Sequence, residues 1–148
     1  MLRRSLVLTG ALTGALAGYA LLFGGTASAA TTKFHATLTG AAEVPPTPSA
    51  ATGEATVSLD TATHEITYDV TYAGLTGDAT AGHIHGPAEP GKNAGVVVPF
   101  AAPKSPIHGT AKLTAEQEQQ LTSGQYYVNI HTKAHPGGEI RGQLTAAK

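Results

Sequence analysis

The chain is organised around the stretch GLTGDATAGHIHGPAEPGKNAGVVVPF, residues 74–100, which combines a strand pattern with glycine and proline turns. At its centre, His83 and His85 flank Ile84. Successive side chains of a β-strand point to opposite faces, so both imidazoles are predicted to project to one side and Ile84 to the other. Gly86 and Pro87 then end the strand, because proline cannot continue a ladder of hydrogen bonds and glycine turns at little cost.

A second histidine segment, YVNIHTKAHPGGEIRGQL, occupies residues 127–144. Alternation along its first part places His131 on the face opposite to Val128 and Ile130. His135 falls in the turn that follows. Four of the seven histidines thus lie in two short segments. A shared site requires that these two segments be neighbours in the folded chain.

Most of the other segments also have a strand pattern. Polar and apolar residues alternate over residues 33–38, 53–60 and 64–72, residues 107–113 are a further predicted strand, and the apolar run 96–98 is predicted to be a strand buried on both faces. Only residues 114–121 favour a helix, with Thr114 as N-cap and Gln117 three residues later. About eight short strands with regular turns predict an all-β fold, an antiparallel β-sandwich or Greek-key barrel, with one short surface helix.

The first 29 residues have the organisation of a secretory signal peptide. Arg3 and Arg4 precede an apolar run over residues 6–23, and Ala27-Ser28-Ala29 forms a small-x-small cleavage site. We therefore expect a secreted protein, cleaved near Ala29, with one domain over residues 30–148. An uncleaved membrane anchor is the alternative, and the arginine pair leaves general secretory and twin-arginine export both open.

The composition excludes several classes of site and partner. The chain has no cysteine, so disulfides, thiolate metal sites and cysteine nucleophiles are excluded. Once Arg3 and Arg4 are set aside, acidic residues outnumber basic ones and no basic patch remains, which argues against a nucleic-acid partner. The chain beyond residue 29 is long enough to bury a stable hydrophobic core without disulfides or a structural metal.

Several longer motifs carry a resemblance to a known family. They are EVPP at 43–46, GLTG at 74–77, HIHGPA at 83–88, NAGVVVPF at 93–100 and the histidine segment at 127–144. Together they resemble the CHRD domain, the module named after chordin, over residues 33–144. The resemblance implies a secreted, β-rich module that occurs alone in bacteria and repeated in animal chordins, with no generally assigned activity.

The histidines themselves point to a transition metal. Imidazole nitrogens are preferred ligands of copper and zinc. The strand pair His83 and His85 offers two of them, His131 could supply a third, and His135 could supply a fourth or act as a mobile gate. Glu139 is the nearest carboxylate and could orient a ring N–H. The competing interpretation is that these imidazoles hydrogen-bond loop backbone and hold the turns in place.

The segment 74–86 also resembles the copper-binding HxH strand of Cu/Zn superoxide dismutases, which are β-sandwiches. The departures are clear, because the cysteine pair and the zinc-loop spacing of that family are missing. Arg141 lies near the C-terminus, as an active-site arginine does there, but a strand-surface arginine is the simpler interpretation. The resemblance therefore supports the fold more than a dismutase activity.

Three functional hypotheses follow. The leading one is an extracellular, non-enzymatic binding module that coordinates copper or zinc through His83, His85 and His131, with His135 as a further ligand. The second is a metal-free module that binds an extracellular protein or glycan through its loops. The third and most distant is a redox enzyme of the dismutase kind. The sequence leaves the oligomeric state open.

Overall fold

The computed structural model describes residues 30–148. The predicted signal peptide, residues 1–29, lies outside the described residues. The strands are β1 (Thr31–Thr39), β2 (Thr52–Asp60), β3 (Glu65–Ala73), β4 (Ala79–His85), β5 (Val96–Pro99), β6 (Ile107–Lys112), β7 (Tyr127–Thr132), β8 (Ile140–Gln143) and β9 (Thr145–Ala146). One 3₁₀ turn, Gly40–Ala42, follows β1, and one helix, α1 (Ala115–Thr122), precedes β7.

The strands form one antiparallel sheet in the order β5-β4-β7-β8-β1-β2-β3-β6, with β9 beside β1. The sheet curls into a nearly closed, barrel-like shape, which confirms the all-β prediction. Strands β1, β2 and β3 form a meander, and the chain then crosses to β4 and β5 before β6 returns to the edge of β3. Phe100, just after β5, stacks on Tyr68 of β3 with ring centroids 4.8 Å apart, so the core is continuous between the two ends of the sheet.

The core follows from strict alternation in the meander. Every second residue of β1, β2 and β3 is apolar and faces inward, where its burial contributes roughly 1.5–3 kcal/mol for each large aliphatic or aromatic side chain. The buried positions of these strands are Phe34, Ala36, Leu38, Ala55, Val57, Leu59, Ile66, Tyr68 and Val70. The alternating residues face solvent, as predicted for this hairpin.

The helix begins and ends where the capping residues predict. Thr114 accepts a hydrogen bond from the backbone N–H of Gln117, and the Gln117 side chain accepts one from the backbone N–H of Thr114, which is a capping box. Gly124, at φ +75°, adopts the left-handed conformation that ends helices. Leu121 is the one buried residue of α1, so the helix lies on the surface.

The strand predicted at residues 96–98 is confirmed, but the prediction that it is buried on both faces was wrong. Strand β5 pairs only with β4 and forms an edge of the sheet. Val98 is buried, but Val96 is 50% exposed. A run of three apolar residues has no periodicity from which one buried face can be told from two, so the position of the strand at an edge decided its burial.

Strands β4, β7 and β8 carry polar residues on the face that points away from the core. Ile84, Val128, Ile130 and Ile140 face the core. On the other face, His85 lies beside Tyr127 on the neighbouring strand. Asn129 lies between His83 of β4 and Arg141 of β8. The segments 43–47 and 86–95 cover this second face, so β7 is buried on both sides although its sequence alternates.

Candidate metal centre

Three histidines from two neighbouring strands converge on the polar face of β4 and β7. His83 and His85 lie two residues apart on β4, and His131 projects from β7 opposite Ala81. One nitrogen of each ring lies within 4.8 Å of the others. His83 Nδ1 is 3.1 Å from His131 Nε2. Within residues 30–148, this is the one group of three potential metal ligands of the His, Cys, Asp or Glu type.

Two backbone carbonyls fix the orientation of two of the rings. His85 Nδ1–H donates to the carbonyl oxygen of Ala94 at 3.1 Å, and His131 Nδ1–H donates to that of Pro136 at 2.9 Å. This hydrogen bonding leaves the Nε2 lone pair of each ring directed at the cluster. Metal-bound histidines in proteins commonly have their second nitrogen held in this way.

His83 completes the network between the rings. Because His131 Nε2 carries a lone pair, His83 Nδ1–H is the donor in the 3.1 Å contact between them. A metal ion would take the place of this proton, with His83 carrying its N–H on Nε2 instead. His85 Nε2 is buried and has no hydrogen-bond partner among the described residues. An unpaired buried nitrogen beside two others is costly unless something coordinates it.

The local environment favours the neutral form of two of these imidazoles, His83 and His85. Burial, together with the neighbouring His131 and His85, lowers the pKa of His83. Burial also lowers the pKa of His85, and the hydrogen bond to Ala94 opposes this effect only in part. A neutral ring is the form that binds a metal ion.

The distances are compatible with direct coordination. Imidazole nitrogens lie about 2.0–2.1 Å from zinc, so two ligands of one tetrahedral ion are roughly 3.4 Å apart. The pair His83 and His131 already has that spacing. The other nitrogen–nitrogen distances in the cluster are at most 4.8 Å, so they would have to shorten by up to about 1.4 Å when an ion binds.

Tyr127 and Arg141 lie directly beside His85, and neither was predicted as a residue of the metal site. The Tyr127 ring is parallel to that of His85, with an interplanar angle of 2° and centroids 4.9 Å apart. The Arg141 guanidinium carbon lies over the Tyr127 ring, 3.4 Å from its centroid. Arg141 is only 2% exposed, so the interpretation of this residue as a strand-surface arginine was wrong.

A buried polar pair lies next to Arg141. Asn129 Nδ2 donates to Glu43 Oε1 at 2.7 Å. Burial raises the pKa of Glu43 to about 7, although Arg141 and the hydrogen bonds from Val44 and Asn129 act in the opposite direction. Gly138 packs so closely here, at φ +129°, that a Cβ would come within 2.5 Å of Glu43 Oε1 and 2.3 Å of Asn129 Nδ2.

The two remaining predicted positions lie outside the cluster. His135 sits in the turn after β7, where its backbone N–H and C=O pair with Thr132, and it lines a cleft of about 300 Å³ together with Val44, Pro45 and Pro136. Its ring is not among the convergent nitrogens. Glu139 is fully buried, and its carboxylate accepts hydrogen bonds from Ser49, Thr76 and Thr132, not from a histidine. Backbone carbonyls take the orienting role that the sequence analysis gave to Glu139.

The other histidines are on the surface, as the single occurrence of each in a polar run indicated. They pair with carboxylates of neighbouring elements: His35 with Glu54, His64 with Glu118 and His108 with Asp69. None of the three is part of the cluster.

The sequence matches the CHRD domain family over residues 34–144. The chain belongs to the CHRD family. The match confirms the resemblance carried by the EVPP, HIHGPA and YVNIHTKAHPGGEIRGQL motifs. The local resemblance to Cu/Zn superoxide dismutases is not borne out, because the family that matches is CHRD. No solved structure matches the chain.

Membership of the CHRD family supports an extracellular binding module in general. In the part of the chain from residue 30 onward, no helix has the length and apolar character needed to cross a membrane.

Proposed function

We propose that this CHRD protein is a secreted module that coordinates one copper or zinc ion through His83, His85 and His131. The observation that carries the proposal is the convergence of three imidazole nitrogens, one of which, His85 Nε2, is buried without a partner among the described residues. Imidazoles that only brace loops would each direct their second nitrogen to solvent or to backbone.

The chemistry of the donor set narrows the choice of metal. Three imidazoles without a thiolate or carboxylate suit copper and zinc, whereas calcium and magnesium require oxygen ligands. Among divalent ions, copper binds such a site more tightly than zinc. Three protein ligands leave a coordination position for water or an incoming ligand, and the half-buried His83 and His131 lie at the accessible side of the cluster.

The test is metal binding by protein purified without a histidine tag. We expect about one equivalent of copper or zinc by elemental analysis after loading and desalting, and tight binding in competition with a chelator of known affinity. His83→Ala, His85→Ala and His131→Ala should each weaken binding by more than about 100-fold, since loss of a ligand exceeds the effect of losing an outer hydrogen bond.

Two histidines outside the cluster serve as matched controls. His35→Ala removes a surface imidazole and should leave affinity unchanged. His135→Ala removes the imidazole of the adjacent turn and should have a small effect compared with His131→Ala. Sub-stoichiometric, weak binding that is equally reduced in all five variants would overturn the proposal and favour the metal-free module.

A further inference from the structure

Arg141 is a buried cation held by a loop instead of a carboxylate. Its guanidinium donates to Asn93 Oδ1 at 3.0 Å and to the carbonyl oxygen of Lys92 at 2.6 Å. No carboxylate within residues 30–148 lies within 4.0 Å of it. Burial of a guanidinium carries a large desolvation cost. Part of the compensation is the pair of hydrogen bonds that attaches Lys92 and Asn93 to the sheet, and the Glu43 carboxyl adds an electrostatic attraction.

Tyr127 holds the next residue of the same loop. Its hydroxyl accepts a hydrogen bond from the Ala94 N–H at 3.1 Å and lies 3.3 Å from the Ala94 carbonyl oxygen. Its ring stacks on the imidazole of His85 and also contacts the guanidinium of Arg141. Arg141 and Tyr127 therefore fix three consecutive loop residues above His85.

The last of these residues controls the orientation of His85. The Ala94 carbonyl oxygen accepts the Nδ1–H of His85 and so directs the Nε2 lone pair into the histidine cluster. If the loop moved away, His85 could turn or carry its proton on Nε2, and the cluster would lose one prepared ligand. His131 does not depend on this loop, because it donates to Pro136 in its own turn.

We propose that Arg141 is a positioning residue for the metal centre, acting through Lys92, Asn93 and Ala94 to hold His85 as an Nε2 ligand. This inference rests on the proposed function. Arg141 has no contact with the ion in this role. Its two donors hold the loop in a forked geometry that lysine does not reproduce, although lysine keeps the charge.

The direction of the change in metal affinity on substitution of Arg141 distinguishes a positioning role from an effect of its charge. A nearby cation repels a metal ion, so removal of the charge alone would strengthen metal binding. Loss of positioning weakens it. Arg141→Met removes both the charge and the pair of hydrogen-bond donors, whereas Arg141→Lys keeps the charge and removes only the paired-donor geometry. We expect both variants to bind copper(II) about 10–100-fold more weakly than the native chain, the range typical of lost outer-sphere partners.

Gln143 provides the matched control on the same strand and face. Its side chain donates to the carbonyls of Ala88 and Gly124, so it holds the other end of the same loop. Gln143→Met should leave copper affinity nearly unchanged. Asn93→Ala should weaken binding in the same direction as Arg141→Lys, and because Asn93 is exposed the core is not disturbed. This variant removes the contact with Arg141 and also the hydrogen bond from Asn93 Nδ2 to the Val44 carbonyl oxygen.

A measurement without metal keeps the inference separate from the proposed function. The ¹⁵N chemical shifts of the His85 ring should report the Nδ1–H form in the native chain, and a mixture of forms in Arg141→Lys and Asn93→Ala. In the copper-loaded variants, the electron paramagnetic resonance spectrum should show fewer coordinated nitrogens. If the native chain binds no copper but the ¹⁵N shifts still respond, the metal proposal alone fails. Native ¹⁵N shifts and native affinity in Arg141→Lys and Asn93→Ala would overturn the inference.

Discussion

Replacement of Glu139 by glutamine should destabilise the protein and remove much of its sensitivity to acid. Glu139 lies between β7 and β8 and is fully buried. Its carboxylate accepts hydrogen bonds from the hydroxyls of Ser49, Thr76 and Thr132 and from the backbone N–H of Thr76, at 2.6–2.8 Å. The residue thus ties the loop before β2 and the segment after β3 to the turn that carries Pro136, the partner of His131.

The magnitude follows from the pKa of this carboxyl. Burial by itself raises the pKa, but the four hydrogen bonds outweigh it and bring the value from 4.5 to about 2. At about 1.36 kcal/mol per unit, this difference corresponds to about 3 kcal/mol of folding free energy. Because the folded-state pKa is depressed, that contribution is present above about pH 4.5 and is lost as the pH falls toward 2.

Guanidinium chloride unfolding at several pH values tests this reasoning. At pH 7, Glu139→Gln should reduce the free energy of unfolding by up to about 3 kcal/mol, a large part of the 5–15 kcal/mol typical of a domain. The gap between the native chain and the variant should narrow below pH 4.5. Glu65→Gln, at an exposed strand position, should change stability by less than about 0.5 kcal/mol. A loss below about 1 kcal/mol at pH 7, or a gap that does not change with pH, would refute the reasoning.

Glu43 should give the opposite pH dependence of folding stability. Its pKa is raised from 4.5 to about 7, so its neutral form contributes fully to stability below about pH 4.5, and this contribution is lost as the pH rises through 7. Thermal melts should show the native chain losing stability between pH 5 and 8.5, and Glu43→Gln should remove that loss; an identical slope in both proteins would contradict the assignment. Metal affinity should fall on acidification, because each imidazole must be neutral to coordinate, and the lowered pKa values of His83 and His85 shift the fall below the ordinary value of about 6.5. Isothermal titration across pH 4.5–7.5 measures this, and a constant affinity would exclude imidazole ligands. Intact-mass measurement on culture supernatant should give a chain that begins at Ala30, whereas a full-length chain confined to membranes would identify residues 6–23 as an anchor.

The face of each histidine was predictable because β-strands repeat every two residues. That rule placed His83 and His85 on one side of β4 and His131 on the side of β7 away from Val128, and the structure confirms both placements. The helix cap at Thr114 was predictable for a similar reason, since a capping box is a contact between residues three apart. In each case the interaction is local, so the order of residues specifies it.

Which strands are neighbours depends on the whole chain. Strands β4 and β7 are separated by more than forty residues, and β7 enters the sheet between β4 and β8. No local pattern encodes that pairing, because it results from the closure of the entire sheet around its core. The same closure placed β5 at an edge and exposed Val96.

The all-β class, the family and the residue types able to bind a metal follow from the order of residues alone. Three features arise only in the folded chain: the convergence of His83, His85 and His131, the separate position of the His135 ring, and the burial of Arg141 under a loop. The groups that orient the site are the backbone carbonyls of Ala94 and Pro136. Every residue has a carbonyl, so sequence carries no signal for which one will face an imidazole, and long-range folding alone selects it.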